Sequence, residues 1–576
     1  MTGKGTKDIP AHLHPFISKQ YYHGYTPIDH AVWRFVMKQN HYFLKEIAHP
    51  AYVNGLMDSG IKTETIPKVD DMNKSLAKVG WGAVTIDGLI PGAAFYSFLA
   101  NGILPIATEI RNIQNIAYTP APDMIHEAAG HAPILLDEAY REFVRKIGEM
   151  GAKALSSKEK LEVFMAVRHL TIVAEDPNST PEQVKAAELQ VAEARKKVKG
   201  LSEADQVSRL FWWTVEYGLI GELDNPKIYG AGLLSSVGES QSCLKNDVQK
   251  IPFSVEACIK TPYDVTKPQP QLFVCKTFAD LVEAVDQFAA TMAFRKGGTA
   301  SLDKALETES VTTMVFSSGL QVTGMLATIL KDEYGEAAYF RTKGPTALSL
   351  DNKQLDGHGK ETHRKGFGTP IGSLEDGIVL EDCSKEQLQD LGIIEEQTTI
   401  LKFQSGVRVA GTVKSILSSE GKPILISFKE CSVTYKEKVL FESSWGTFDM
   451  AVGAKVISVF AGAADPNRYY DFPPIEEVEE IAPQKSWNEL ETLYEEIRSF
   501  REGTEWKEQS IAQVLAILED RYPKEWLLRL EILELYKKHD VCHPHVILIE
   551  ERLQTTDWDS SVKQMIQRGL TLIHNS

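Results

Sequence analysis

Two histidines and a buried-looking acid are the residues of this sequence whose types and spacing could do chemistry. The run YTPAPDMIHEAAGHAP, residues 118–133, places His126 and His131 five apart, with Glu127 directly after the first. This is not HExxH, in which histidines at i and i+4 share one face of a helix and bind zinc. Five residues turn about 140° round an α-helix, so both imidazoles reach one ion only if the backbone departs locally from that geometry. Gly130 stands where a bend would be tolerated. A third candidate lies in RLFWWTVEYGLIGE, where Glu216 sits among Phe211, Trp212, Trp213 and Tyr217. A carboxylate in such surroundings is costly unless it is paired or holds a metal. Two histidines and one carboxylate with open positions is the donor set of non-haem iron(II) oxygenases. Core histidines satisfied by hydrogen bonds are commoner than ligands, so the residues alone leave both readings open. A zinc hydrolase is a rival, since Glu127 follows its histidine as a catalytic base would, but the five-residue spacing disfavours it.

These residues need a scaffold, and the chain has length for one. At 576 residues it has room for about three or four domains. With 43% hydrophobic and 24% charged residues, a packed core is feasible. The net charge of −17 argues against a broad nucleic-acid footprint, which needs a basic face. Six cysteines (Cys243, Cys258, Cys275, Cys383, Cys431, Cys542) form no CxxC pair, which reads as a reduced, cytoplasmic protein. The start, MTGKGTKDIPAHLHPF, lacks the apolar stretch of a signal peptide. Residues 88–108 carry no charge, but Pro91, Gly92, Asn101, Gly102 and Pro105 break them into pieces too short for a membrane span. A buried core segment is expected there, and no membrane partner.

Helical patterning dominates residues 28–300. Thr26 or Asp29 can cap a first helix carrying Val32, Phe35 and Val36, and a second long helix is expected near residues 138–150. Two charged helical stretches between 156 and 200 suit a solvated hairpin. Further on, TTILKFQSGVRVAGTVKSIL, KPILISFKECSVTYKEKVLFE and AVGAKVISVFAGA are short β-branched runs, hence strands of a small sheet or barrel. Residues 465–484 are Pro-rich and acidic, a linker pattern, and helical periodicity returns from Ser486. The expected organisation is an N-terminal arm (1–26), a catalytic domain (27–298) with a polar helical insertion (156–200), a connecting helical segment (299–345), a β-rich domain (346–470) and a helical C-terminal region (485–576). The first half is expected to hold its own core and to carry the chemistry alone.

Three runs in order, TPAPDMIHEAAGHAP, FWWTVEYGL and IYGAGLLSSVGESQSCL, resemble the catalytic core of the pterin-dependent aromatic amino acid hydroxylases across residues 27–297. The resemblance implies a mainly α catalytic fold with a small β element, followed here by a β-rich domain and a helical tail. It implies iron(II), a tetrahydropterin (tetrahydrobiopterin or a similar compound) and dioxygen. The reaction would be ring hydroxylation of a small aromatic amino acid, phenylalanine first, with tyrosine or tryptophan as alternatives. His126, His131 and Glu216 match the iron ligands. Arg111 matches the arginine that holds the substrate carboxylate, and Thr119, Gly232 and Ser235 match positions near the same backbone. Pro122 and Trp212 match the walls of the ring slot; Phe95 matches the aromatic that stacks on the pterin, Ile90 a backbone contact and Glu127 a nearby carboxylate. Asp123 would orient His126 or cap its helix. In IKTPYDVTKPQPQLFV, Tyr263 and Val265 match a loop bordering the site, where apolar Val265 and the neighbouring Tyr217 bear on the choice between phenylalanine and tyrosine. Three features depart from the animal members: a short N-terminal arm, the 156–200 insertion, and a C-terminal half unlike their short tetramerisation helix, so a homo-oligomer is left open. A catalytically silent scaffold acting through that half is the remoter alternative.

Two further histidine groups carry little at this stage. His358 and His363 lie in LDGHGKETHRKGFGTP, a Gly- and Lys-rich loop with no strong carboxylate partner, so no metal is expected there. CHPHV, with Cys542, His543 and His545, reads as a solvated turn.

Overall fold

The computed structural model describes residues 9–88, 90–117, 122–175, 179–265, 267–471, 486–539 and 543–575. The expected linker falls largely on 472–485, and Thr119 and Cys542 also lie outside the described residues.

Helix Pro27–Ile47 opens the catalytic half. Thr26 accepts from the Asp29 amide and the Asp29 carboxylate accepts from the Thr26 amide, so both cap candidates act together in a capping box. The uncharged stretch is broken as the prolines and glycines indicated, into helix Gly92–Ala100, which buries Ala94, Phe98 and Leu99, and the fully buried strand Ile103–Ala107; its first residues are not core, Gly88, Gly92 and Ala93 being exposed. That strand pairs in parallel with Gly82–Ile86, and both are buried throughout, so the helix is the crossover of a β–α–β unit. Asn225–Ile228, Leu219–Glu222, Gln271–Cys275 and Gln249–Pro252 form a second, mixed sheet in that order. The small β element is therefore a parallel pair and a mixed sheet. The insertion is a hairpin of helices Lys158–Glu175 and Pro181–Lys197.

The segment 299–345 is not a helical connector. Only Gly298–Thr308 is helical; Val311–Phe316, Gln321–Lys331 and Ala337–Leu350 are strands. The first two are rich in β-branched residues and meet across a tight turn at Gly319, whose φ of 88° favours glycine. They belong to an antiparallel sheet closed at one edge by Val456–Ala461. A second sheet runs Thr398–Lys402, Val407–Ser419, Lys422–Tyr435 and Lys438–Phe441, with Phe448–Ala451 on the other side of Lys422–Tyr435. The β-rich region thus begins near residue 311, not 346.

The helical tail is not independent of the catalytic half. Tail residues such as Leu493, Ile532 and Ile573 share one hydrophobic core with Val32, Phe35 and Leu234. Phe35 meets Trp526 edge to face at 5.3 Å. Arg34, buried on the first helix, donates to both Glu531 carboxylate oxygens, the shortest contact being 2.7 Å, and Arg501 donates to the same carboxylate at 2.9 Å. Arg568 of the last helix donates to the Val237 carbonyl. The expectation that the first half closes its own core is corrected: one face of helix Pro27–Ile47 is covered by the tail.

Candidate metal and pterin site

Residues Ile125–His131 form a π-helix rather than an α-helix. A π turn closes on i→i+5, so residues five apart come onto one face. This resolves the spacing of His126 and His131 without a bend at Gly130. Gly130 serves another purpose: a Cβ there would come within 2.7 Å of the Ala231 carbonyl oxygen, so glycine lets the short helix Ala231–Leu234 lie against the π turn. The Tyr52 hydroxyl donates to the Ala129 carbonyl at 2.9 Å, satisfying an acceptor in that turn. Glu216 ends a second π turn, Trp212–Glu216, in which the Thr214 hydroxyl donates to the Leu210 carbonyl.

The two turns bring three side chains together. His126 Nε2 and His131 Nε2 stand 3.2 Å apart, and the two Glu216 oxygens lie 3.2 Å and 3.3 Å from them. Ligand atoms about 2.1 Å from one ion stand about 3.0 Å apart at right angles and about 3.4 Å apart at the tetrahedral angle, so these spacings suit ligands of one shared ion. Two imidazoles and a carboxylate therefore fit iron(II). Burial alone would raise the Glu216 carboxyl, but His126 and His131 hold it well below the usual carboxylate range.

Ser235 sets the His126 ring. Its hydroxyl donates to the Ala231 carbonyl at 2.8 Å, so its oxygen accepts from His126 Nδ1 at 3.0 Å. That arrangement places a proton on Nδ1 and turns Nε2 toward Glu216 and His131. The ring partner expected in Asp123 is thus Ser235. Asp123 instead accepts from the His126 amide at 2.9 Å and takes the Arg111 fork at 2.9 Å and 2.8 Å. Burial would raise its carboxyl, but Arg111 and the two backbone amides hold it down. Arg111 also donates to the Ser235 carbonyl at 3.1 Å. The open fork expected for a substrate carboxylate is thus closed on Asp123, which leaves two of its five N–H groups.

Around this centre the other expected residues fall into distinct places. Glu127 is buried 3.8 Å from His131, and its Oε2 has no hydrogen-bond partner among the described residues. Burial pushes its carboxyl up to about 8. Trp212 stacks on Tyr263 at 4.4 Å and on Tyr217 at 4.6 Å. With two rings already stacked on it, Trp212 has less free face for a ligand than the slot wall expected. Gly232 is buried beneath Tyr217, where a Cβ would come within 2.8 Å of that ring, so it packs rather than lines a slot. Pro122 is exposed; Ile90 and Phe95 are half-buried, and Phe95 meets Phe211 edge-on at 5.6 Å. Val265 is 40% exposed, not the buried apolar lining expected.

Glu239 was not singled out by the sequence, although an acid in the apolar run GLLSSVGESQSCL is itself a signal. The Tyr217 hydroxyl donates to it at 3.2 Å and the Gln269 amide at 2.9 Å. Burial nevertheless pushes its carboxyl up to about 7. The folded state then keeps a proton that the unfolded chain, with a carboxyl near pH 4.3, releases; stability falls as pH rises between about 4.3 and 7 and is flat above. Glu239→Gln is expected to remove that slope in urea unfolding across this window. Identical slopes in both proteins would contradict the assignment.

A sequence model of the biopterin-dependent aromatic amino acid hydroxylases matches residues 19–175 and 197–321. The chain belongs to this family. The match breaks inside the helical hairpin and ends in the first strands of the β-rich region. Phenylalanine-4-hydroxylase of Mesorhizobium japonicum is 28% identical over 279 residues, spanning 48% of this hydroxylase and 85% of the relative. That of Pseudomonas aeruginosa is 29% identical over 251 residues (43% and 79%), and that of Rattus norvegicus 29% over 234 residues (40% and 42%). A crystal structure of Chromobacterium violaceum phenylalanine hydroxylase with iron(III) and 7,8-dihydrobiopterin shares 26% identity over 49% of this chain and 86% of that one, with a TM-score of 0.38.

Proposed function

We propose that this hydroxylase converts phenylalanine to tyrosine with iron(II), a tetrahydropterin and dioxygen. The observation that carries the reading is the triangle of His126, His131 and Glu216 ligand atoms, in a family defined by biopterin-dependent ring hydroxylation. The relatives named above support phenylalanine as the substrate. When bound, iron(II) and the pterin together supply the electrons and open coordination positions that deliver one atom of dioxygen to the aromatic ring.

The chain's own groups hold and orient. His126, His131 and Glu216 would hold the metal on one face, with Ser235 fixing the His126 tautomer. Glu127, whose buried Oε2 has no hydrogen-bond partner among the described residues, is the group that would accept from a pterin N–H, with Phe95 to stack on the pterin ring and Ile90 to contact it through its backbone. Arg111, set by Asp123, has two N–H groups left for the substrate carboxylate, and Trp212 and Pro122 would border the ring. Tyr217 points its hydroxyl at Glu239, which withdraws that polar group from the substrate ring. We place the enzyme in the cytoplasm: the described cysteines (Cys243, Cys258, Cys275, Cys383, Cys431) are buried free thiols. Among the described residues no helix is long and apolar enough to cross a membrane.

Phenylalanine and tyrosine supplied together at equal concentration test substrate choice. Tyrosine is expected as the main product, with slower conversion of tyrosine itself, because an apolar slot discriminates weakly against an added hydroxyl. Dihydroxyphenylalanine formed faster than tyrosine would overturn the assignment.

A further inference from the structure

The β-rich region holds a second group of metal-ligating side chains. The loop between strands Lys353–Gln354 and Gly368–Pro370 folds back along strand Ala337–Leu350 and carries His358 and His363. Its backbone is pinned there: the Leu348 amide donates to the His358 carbonyl at 2.9 Å and the Thr346 amide to the His363 carbonyl at 3.1 Å. Strand Phe448–Ala451 presents Asp449 to the two rings, supplying the carboxylate absent from the loop's own sequence. Its Oδ1 is fixed by the Ser427 hydroxyl on the neighbouring strand Lys422–Tyr435, where Ser427 and Asp449 are register partners. Its Oδ2 faces His358 Nδ1 at 3.8 Å and His363 Nε2 at 3.7 Å, and those two nitrogens are 3.4 Å apart. All three side chains are largely buried, at 20%, 9% and 8% exposure for His358, His363 and Asp449.

The Asp449 distances point to a metal cradle rather than to a carboxylate hydrogen-bonded to the rings. At 3.7 Å and 3.8 Å the carboxylate oxygen is beyond hydrogen-bond reach of either ring. Donor atoms about 2.1 Å from one ion at the tetrahedral angle stand about 3.4 Å apart, close to what is found here and wider than the His126–His131–Glu216 triangle. The group formed by Glu508, His543 and His545 gives the contrast. There the Glu508 oxygen facing the two rings also accepts from the Tyr536 hydroxyl, so a donor from outside the group already satisfies it.

We propose that His358, His363 and Asp449 form a second metal site for a tetrahedral divalent cation, zinc being the best match to two imidazoles and one carboxylate. Three protein ligands leave the fourth position to water. The ion would tie the 355–367 loop to strand Phe448–Ala451.

Zinc and cobalt(II) added to the full-length, iron-loaded protein test the site. One zinc per chain beyond the iron is expected, and cobalt(II) should give the intense visible bands of a tetrahedral field. Glu216→Ala should retain those bands, which places them away from the iron centre. Asp449→Asn and His363→Gln should each weaken zinc binding about 100-fold or more, while iron content and phenylalanine turnover stay at the wild-type level. Circular dichroism and thermal melting of the metal-free variants establish that they fold. Unchanged zinc content in both variants would overturn the proposal. If the variants fail to fold, the wild-type chain still decides: no zinc beyond the iron and no tetrahedral cobalt spectrum would overturn it equally.

Discussion

Glu216→Ala is expected to leave a folded protein that neither retains iron nor hydroxylates phenylalanine. Glu216 supplies the only carboxylate oxygens within 3.3 Å of the two Nε2 atoms among the described residues, and their negative charge is what favours a cation beside the two imidazoles. Removal of even an outer partner of a metal ligand costs roughly 10–100-fold in affinity or activity, so loss of the ligand itself should cost at least about 100-fold in iron affinity. Glu216→Gln, which keeps the shape and loses the charge, is expected to fail in the same way. Iron per chain after desalting, turnover and circular dichroism are the readouts. Near-wild-type iron and activity in either variant would sink the ligand assignment.

The second large effect lies far from the iron. Glu531→Ala should destabilise the protein by about 3–5 kcal/mol, because it leaves the Arg34 and Arg501 guanidiniums buried without their shared anion. Burial opposes ionisation of Glu531, and the two arginines overcome it and hold its carboxyl low. Truncation near residue 298 is the extreme form of the same change. It uncovers Phe35 and Arg34 and removes Arg568 from the Val237 carbonyl, two residues from Ser235. The shortened chain is expected to be insoluble or unfolded. A truncated protein with wild-type melting behaviour and turnover would show that the tail is dispensable. Urea unfolding of Glu531→Ala gives the quantitative test; a loss below about 1 kcal/mol, the range of a surface pair, would contradict the buried network.

Residue types in the sequence marked the metal centre better than residue spacing did. An acid inside FWWTVEYG and two histidines beside a glycine pointed to Glu216, His126 and His131, because burial of such groups demands a partner. The spacing misled, since it was measured against an α-helix. A π turn depends on tertiary partners such as the Tyr52 hydroxyl, 77 residues away. The exchange of Asp123 for Ser235 as the His126 ring partner was hidden for a similar reason: Ser235 lies 109 residues on and arrives on the helix that Gly130 admits. Strands 311–350 were within reach of the sequence, because VTTMVF and QVTGMLATILK flank a Ser–Gly turn. The docking of the tail was not. An amphipathic helix states that one face is buried, but not against what, and the Arg34–Glu531 pair closes over 497 residues.

The most direct test of the central claim is product formation by the full-length chain supplied with phenylalanine, iron(II), a tetrahydropterin and dioxygen. The account predicts tyrosine in amounts that depend on both iron and pterin, and none when either is withheld. A folded, iron-loaded protein that forms no tyrosine, or that forms it equally well without pterin, would contradict it.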